Sequence, residues 1–328
     1  MPDEDLQKRL ESLNRGPLEG PESPGLRERV RKSLRTRRGQ AGGGADAEER
    51  PAAKAAPQAI VFRRDLPRHE PPKPTPSAAA GPFVSLADAF SGGEVPGPDG
   101  LPAYVVERPL RGAEGPWDDL CEGFARTVAS PSPGLSDELA RAGAGGAIDP
   151  ADVIFLDLET AGLGSAPLFL VGAMVWEGDG LLVRQFLARD YSEERAALGL
   201  FLDLAATRSL LVSFNGKSFD LPFLRARAAA TGLPCRLDPA HLDLLHTARR
   251  VWGGELSDCR LQTLERVVCG RLRGDDIPGH LIPDVYHEFV RTGNAARMVN
   301  VLEHNFLDLV TLADILVRMK PPEGGSRQ

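Results

Sequence analysis

The stretch that most constrains the fold is a short apolar run that ends in two acidic residues. Residues 153–164 read VIFLDLETAGLG, a run of this length before acids that predicts a buried β-strand. Because successive strand side chains point to opposite faces, Asp157 and Glu159 project together while Leu158 points into the core. Two like charges held side by side are costly unless a cation or a shared proton relieves them. The pattern therefore indicates a metal site.

The distribution of residue types predicts a compact domain preceded by a polar region. Residues 1–80 are rich in Pro, Gly, Ala and charge and lack a periodic apolar pattern, so they are predicted to be mostly disordered. Within them, the basic segment 26–38 is either a solvated tail or an electrostatic tether for nucleic acid. Residues 83–150 are interpreted as an N-terminal extension and linker, with the connector at 131–150. Residues 151–320 are predicted to form the compact domain.

The order of apolar runs in the compact domain predicts an α/β fold. Two runs joined by Glu-Gly-Asp-Gly at 177–180 predict a hairpin, which forms a three-stranded meander with the opening strand. A fourth strand is predicted at 209–214 and a fifth near His241, and later segments have helical spacing. Strands and helices in this order favour a mixed five-stranded sheet flanked by helices.

Charge and hydropathy exclude some classes of function. The net charge of −7 argues against a broadly basic nucleic-acid clamp, although it is compatible with a local basic groove. No apolar run approaches the roughly 20 residues that span a bilayer. The acidic start MPDEDLQKRLESL does not resemble a secretory signal. A cytoplasmic protein without a membrane partner is the expectation.

Two further patches carry polar residues where a core or surface pattern does not predict them. NGKSFDLPFL, beginning at Asn215, places a polar loop and Asp220 between a strand and a helix. HNFLD places His304 and Asp308 on one face of a late helix. Taken singly, the patches have structural interpretations as a solvated strand end, an acid at a helix N-terminus and a buried interface histidine.

The combination of the patches points more strongly to chemistry than any one of them. Carboxylates from a strand end, a strand-to-helix loop and a late helix have the composition needed to hold two Mg²⁺ or Mn²⁺ ions. The four carboxylates are Asp157, Glu159, Asp220 and Asp308.

The three patches resemble the sequence motifs of a known nuclease superfamily. DLET, NGKSFDLPFL and HNFLD are similar to the ExoI, ExoII and ExoIII motifs of the DEDD (DnaQ-like) 3′-5′ exonucleases, which have a ribonuclease H-like fold. The wider segment 151–318 resembles the bacterial YprB-type family of ribonuclease H-like proteins, in HLDLLHTARRVW and DDIPGHLIPDVYHEF among other stretches. Three motifs in order make the resemblance specific.

The resemblance implies a role for each residue that matches a motif. It makes the four carboxylates the ligands of two divalent metal ions, Mg²⁺ or Mn²⁺, in two-metal phosphodiester hydrolysis. Asn215 would orient the substrate or a water molecule, and Phe219 would pack beneath the loop or against a base. Lys217 is interpreted either as a phosphate contact or as a solvated loop lysine.

His304 departs from the family pattern. It stands four residues before Asp308, where one DEDD branch has tyrosine, whereas the histidine branch usually has its base five residues before the acid. His304 therefore either serves as the general base from the tyrosine position or orients a water molecule.

Two neighbouring patches are given lower weight. His241 and Asp243 are interpreted first as a structural hydrogen-bonded pair. Asp275, Asp276 and His280 lie in a loop that is a candidate to line the substrate path, and no catalytic role is predicted for them.

The expected function is that of a metal-dependent 3′-5′ exonuclease acting on single-stranded ends of DNA or RNA. One alternative is a catalytically weak or inactive nucleic-acid-binding protein on the same fold. The other is a structure-selective endonuclease. The intact set of four acids favours an enzyme. The unusual spacing of His304 is the reason to retain the binding protein as an alternative. Protein partners are not predicted.

Overall fold

The computed structural model describes residues 82–319 apart from positions 114, 163 and 275. The predictions for residues 1–80, including the basic segment at 26–38, lie outside the described residues. Of the helices in the described part of the chain, none combines the length and the apolar character needed to cross a membrane.

Seven strands of the described chain form one mixed β-sheet. In chain order they are β1 (Gly92–Pro96), β2 (Pro102–Pro109), β3 (Val153–Thr160), β4 (Leu168–Glu177), β5 (Gly180–Leu187), β6 (Leu210–Ser213) and β7 (Ala240–Asp243). Their order across the sheet is β1-β2-β5-β4-β3-β6-β7. The pairs β1–β2, β2–β5, β5–β4 and β4–β3 are antiparallel, whereas β3–β6 and β6–β7 are parallel. The predicted α/β class and the mixed character of the sheet are confirmed.

Helices follow and flank the strands. In chain order they are α1 (Leu86–Ala89), α2 (Trp117–Ala129), α3 (Pro133–Ala142), α4 (Glu194–Ala205), α5 (Asp220–Ala230), α6 (Leu244–Val251), α7 (Leu261–Val267), α8 (Ile282–Thr292) and α9 (Met298–Val317). Short 3₁₀ turns precede β3 and α8, at Pro150–Asp152 and Gly279–Leu281.

The sheet has seven strands where the sequence predicted five, because the N-terminal extension adds two. β2 pairs with β5, with Tyr104 opposite Leu187, and β1 pairs with β2. Without β2, the edge of β5 would leave a row of backbone N–H and C=O groups without strand partners. The sequence led only to an interpretation of residues 83–150 as an extension and linker, since pairing between distant segments leaves no local pattern.

A helix, α3, occupies part of residues 131–150, which were predicted from the sequence to be a connector. Ser132 caps α3 by accepting the backbone N–H of Leu135, and Gly143 follows the helix with a φ of 91°. Leu135 and Leu139 are buried on its inner side. The Ser, Gly and Ala content of this segment is typical of a linker, although Ser132 and Gly143 are also residues that commonly cap helices. The boundaries at 83–150 and 151–320 stay predictions.

β3 lies inside the sheet with an apolar core on each face. Phe155 belongs to the core that includes the buried residues of α9. Leu156 belongs to the opposite core, with Phe201 of α4. Because strand side chains alternate, Asp157 and Glu159 continue the face of Phe155, towards α9. The alternation inferred from VIFLDLET therefore directs both acids to one side.

Candidate active site

Three separate segments bring the predicted acids together beside β3. β3 carries two of them, α5 begins with the third, and α9 carries the fourth. We name these four residues the acid cluster: Asp157, Glu159, Asp220 and Asp308. Their charges act on one another.

Desolvation and neighbouring charges raise the pKa values of Asp157, Glu159 and Asp220. Burial raises the pKa of Asp157 and Glu159 well above the usual range, and the neighbouring charge of Asp308 adds to the shift. Burial also raises the pKa of Asp220 to about 7, and the charges of Asp243 and Asp308 add to it. Such shifts are typical of sites where carboxylates are held close together for binding or catalysis.

The loop between β6 and α5 places Asp220. Asn215 begins the turn with a φ of 62°, a left-handed conformation that asparagine tolerates better than most residues. A Cβ atom at Gly216 would lie 2.2 Å from Ser213 Oγ, so the loop approaches β6 too closely for a side chain there. α5 begins directly after this turn, and the sequence predicts its helical character.

Asp243 and His241 support that loop from β7. The carboxylate of Asp243 accepts the backbone N–H groups of Asn215 at 2.8 Å and Lys217 at 3.0 Å. His241 Nε2 lies 2.8 Å from Ser213 Oγ on the neighbouring strand. The two residues make structural hydrogen bonds, but the predicted pair is wrong, because Asp243 bonds the loop and His241 bonds β6 rather than each other.

α9 supplies three polar side chains to the site. His304 Nε2 lies 3.5 Å from Asp308 Oδ2 and 4.0 Å from Glu159 Oε1. Asn305 Nδ2 donates to Asp157 Oδ2 at 2.7 Å. The predicted spacing of His304 and Asp308 on one helix face is confirmed.

Sequence reasoning missed the residues that hold Asn305. Gln185 of β5 is fully buried, and its Nε2 donates to Asn305 Oδ1 at 2.8 Å. Gly172 of β4 lies opposite both Asp157 and Gln185 in the sheet. A Cβ atom at Gly172 would lie 2.2 Å from Asn305 Oδ1. The available signals were a glycine inside a strand and a glutamine at a position of β5 that faces the core.

Sequence reasoning also missed Arg273. Its guanidinium pairs with Asp308, with Glu265 at 2.5 Å and with Asp276 at 3.2 Å. Burial lowers the pKa of Arg273, but the charges of Asp308 and Glu265 outweigh burial and raise it. One guanidinium faces three carboxylates here, so it does not neutralise the acid cluster.

The loop residues predicted to contact substrate lie beside Asp220 and are accessible. Phe219 is 46% exposed and Lys217 is exposed, whereas Asn215 is half-buried. The role predicted for Phe219, to pack beneath the loop or against a base, stays a prediction. In the loop that was predicted to line the substrate path, His280 is exposed and Asp276 contacts His304. Position 275 of that loop lies outside the described residues.

The predicted metal ligands are close but not preassembled. Among the residues that the structure describes, no three His, Cys, Asp or Glu side chains stand in an arrangement that could hold a metal ion. Arg273 pairs with Asp308, and Asn305 bonds Asp157. The chemistry of the donors still fits a hard cation, since all four are carboxylates whose charges repel one another. The ligand assignment stays a prediction.

Comparison with known proteins identifies the family. A family model for the RNase H superfamily matches residues 154–320, and the chain belongs to that superfamily. This match supports a nuclease-type fold without naming the reaction or its residues.

The chain is similar to a curated relative and to a solved structure. The chain is 35% identical over 174 residues to the uncharacterized protein YprB of Bacillus subtilis, a match covering 51% of this chain and 42% of YprB. The chain therefore spans less than half the length of that relative. The family B DNA polymerase of Pyrobaculum calidifontis matches with 19% identity and a TM-score of 0.42, over 52% of this chain and 24% of the polymerase.

Proposed function

We propose that the protein is a metal-dependent 3′-5′ exonuclease that hydrolyses phosphodiester bonds at single-stranded ends of DNA or RNA. The observation that carries the proposal is the acid cluster, in which partly buried carboxylates from three segments lie close enough for their charges to repel one another. A fold does not accumulate such repulsion for stability alone, because each uncompensated buried charge costs free energy. Membership of the RNase H superfamily supports a nucleic-acid substrate.

The acid cluster would hold the divalent ions, Mg²⁺ or Mn²⁺, through carboxylate oxygens. When bound, the ions would supply electrostatic stabilisation of the charge on the phosphorus centre and on the leaving 3′ oxygen. Asn305 keeps Asp157 oriented through its 2.7 Å hydrogen bond, so that ligand is held in place before any ion arrives.

The chain's own residues would handle the proton and the substrate. His304 Nε2 faces the acid cluster and would accept the proton of the attacking water as general base. The exposed ring of Phe219 would stack on a base next to the scissile phosphate, which does not require a particular sequence. Lys217 would contact the phosphate backbone from the same loop.

The ion pair of Arg273 with Asp308 favours a second candidate function. A guanidinium bonded to one member of the acid cluster occupies one of its carboxylate oxygens. A protein that binds nucleic acid without turnover could keep this pair permanently, whereas an enzyme must release that oxygen to a metal ion.

Labelled oligonucleotides distinguish the candidates. The full-length protein is incubated with 5′-labelled single-stranded DNA, RNA and duplexes, in Mn²⁺ and in EDTA. An exonuclease gives a ladder that shortens from the 3′ end in Mn²⁺ alone, and Asp157→Ala and Asp308→Ala abolish it. The matched control is Asp203→Ala, at an exposed position of α4.

Each other result has a defined meaning. Internal cuts support a structure-selective endonuclease, and binding without cleavage supports the second candidate. Equal turnover by wild type, Asp157→Ala and Asp308→Ala excludes the acid cluster as the active site.

A further inference from the structure

The two ring nitrogens of His304 face different surroundings. Nδ1 lies 2.8 Å from Asp276 Oδ1, whereas Nε2 faces Asp308 at 3.5 Å and Glu159 at 4.0 Å. We infer that Asp276 is a positioning residue for His304, one that holds the Nδ1–H tautomer and aims the Nε2 lone pair into the acid cluster. The inference deepens the proposed nuclease function and rests on it for its catalytic consequence.

The chemistry of the contact determines the tautomer. An ionised carboxylate can only accept hydrogen bonds, so the nitrogen that faces Asp276 must carry the proton. The other nitrogen of a neutral imidazole is then an acceptor.

Asp276 is itself held in place by an ion-pair chain. Its second oxygen, Oδ2, lies 3.2 Å from Arg273 Nη1, and Arg273 Nε lies 2.5 Å from Glu265 Oε2. Glu265 is 2% exposed, and Thr311 Oγ1 of α9 donates to it at 3.1 Å. Glu265 thus connects this series of ion pairs to α9, the helix that carries His304.

Asp276 acts through the imidazole and does not contact the reacting atoms. The proton from the attacking water would move to Nε2 while Nδ1 keeps its own proton, and the water oxygen would form the new bond to phosphorus as the bond to the 3′ oxygen breaks. Asp276 would accept the same hydrogen bond before and after this transfer. The resulting positive charge on the ring lies next to its carboxylate, which stabilises it.

Nuclear magnetic resonance of the His304 ring tests the geometry without depending on turnover. In ¹⁵N-labelled full-length protein in Mg²⁺ buffer, we expect a proton on Nδ1 and none on Nε2. Asp276→Asn should reverse this assignment, because the guanidinium of Arg273 needs the amide oxygen as its acceptor, which turns the amide NH2 donor towards Nδ1. Asp276→Glu, which keeps an acceptor, should retain the wild-type tautomer. An Nε2–H tautomer in the wild type, or no change in Asp276→Asn, overturns the inference.

Kinetics test the consequence for catalysis. We expect Asp276→Asn to lower kcat by about 10- to 100-fold with little change in KM. In a His304→Gln background the same substitution should cause no further loss, because the residue through which Asp276 acts is absent. A loss of equal size in both backgrounds would mean that Asp276 acts through Arg273 instead, and overturns the inference.

The controls separate failure of this inference from failure of the proposed function. Asp203→Asn, at the exposed position on α4, should change neither kcat nor the ring spectrum. If the wild type shows no metal-dependent cleavage of any substrate, the proposed function fails, and the catalytic role of Asp276 fails with it. The ring spectrum then decides whether Asp276 orients His304.

Discussion

The partly buried acid cluster and the buried Glu138 both hold carboxylates, but the groups around them carry opposite charge. Glu138 of α3 is 5% exposed, and its oxygens accept from Thr247 Oγ1 at 2.9 Å and from Arg250 Nε at 2.8 Å. Burial raises the pKa of Glu138, but the hydrogen bonds from Arg250 and Thr247 outweigh it and leave the pKa lowered. At Asp157 and Glu159, desolvation and neighbouring acids act in the same direction and raise the pKa.

The comparison separates a structural acid from an acid kept for a ligand. At Glu138 the fold supplies its own cation, so the charge contributes to stability without a partner from outside. At the acid cluster, one guanidinium is shared between Asp308, Asp276 and Glu265. The excess negative charge there is relieved by a bound cation or by protons, which is the electrostatic basis of the proposed function.

Removing one charge from the acid cluster should have the largest effect on activity. We expect Glu159→Gln to lower Mn²⁺-dependent turnover by about 10³-fold or more, the equivalent of several kcal/mol of lost charge stabilisation. In EDTA its free energy of unfolding should be equal to that of the wild type or about 1 kcal/mol higher, because a repulsive charge is gone. Cleavage assays and urea unfolding measure the two quantities.

Metal binding provides the control for this first variant. Mn²⁺ should raise the Tm of the wild type and raise that of Glu159→Gln less, because ligands stabilise the state that binds them. A variant that loses stability in EDTA while retaining turnover would show that Glu159 is a structural acid like Glu138.

A methyl group beside Asn305 should disturb the acid cluster without changing any charge. In Gly172→Ala the new Cβ would lie 2.2 Å from Asn305 Oδ1 and displace the amide that holds Asp157. We expect unfolding free energy to fall by about 1–3 kcal/mol and turnover to fall by about 10-fold or more. Gly93→Ala on β1 is the matched control, since nothing lies within 4 Å of its added Cβ. Equal turnover by both variants would contradict the positioning role of Asn305.

Loss of the structural acid should affect stability alone. Glu138→Ala leaves the buried hydroxyl of Thr247 without that acceptor and frees Arg250. We expect the free energy of unfolding to fall by about 2 kcal/mol, while turnover measured below the Tm stays at the wild-type value. Asp137→Ala, at an exposed position of the same helix, should change neither. A loss of turnover with Glu138→Ala would remove the distinction between the two regions.

The smallest expected effect is the contribution of His241, a buried base, to the pH dependence of the free energy of unfolding. Burial lowers its pKa from the ordinary 6.5 to about 4. The unfolded chain therefore takes up a proton at higher pH than the folded chain, and stability is lost as pH falls from 6.5 towards 4. We expect the free energy of unfolding to be about 0.8 kcal/mol lower at pH 6 than at pH 8 from this group.

Urea unfolding at the two pH values of the wild type and His241→Gln measures this contribution. The difference between pH 8 and pH 6 should shrink in His241→Gln and persist in His280→Gln, whose histidine is exposed. An unchanged difference in His241→Gln would show that His241 is not held neutral.

The parts of the site that follow local patterns were predictable. Alternation along β3 pairs Asp157 with Glu159, and helical spacing pairs His304 with Asp308. The hairpin between β4 and β5 turns at Gly178, as its Glu-Gly-Asp-Gly sequence predicts. Each pattern depends on residues within one or two turns of chain, so the sequence displays it directly.

The contacts that position those residues were not predictable in the same way. Asp276 and His304, Gln185 and Asn305, and the pairing of β2 with β5 each join segments far apart in the chain. Nothing in DDIPGH distinguishes an orienting carboxylate from a solvated one until the loop is folded against α9.

The sequence by itself determined which faces of β3 and α9 the predicted site residues occupy, because backbone periodicity sets the direction of each side chain. Only the tertiary structure decided which of the acids are compensated. Coulomb interactions and desolvation depend on distance in space and on burial. Folding pairs Glu138 with Arg250 and brings Glu159 and Asp308 of the acid cluster next to His304.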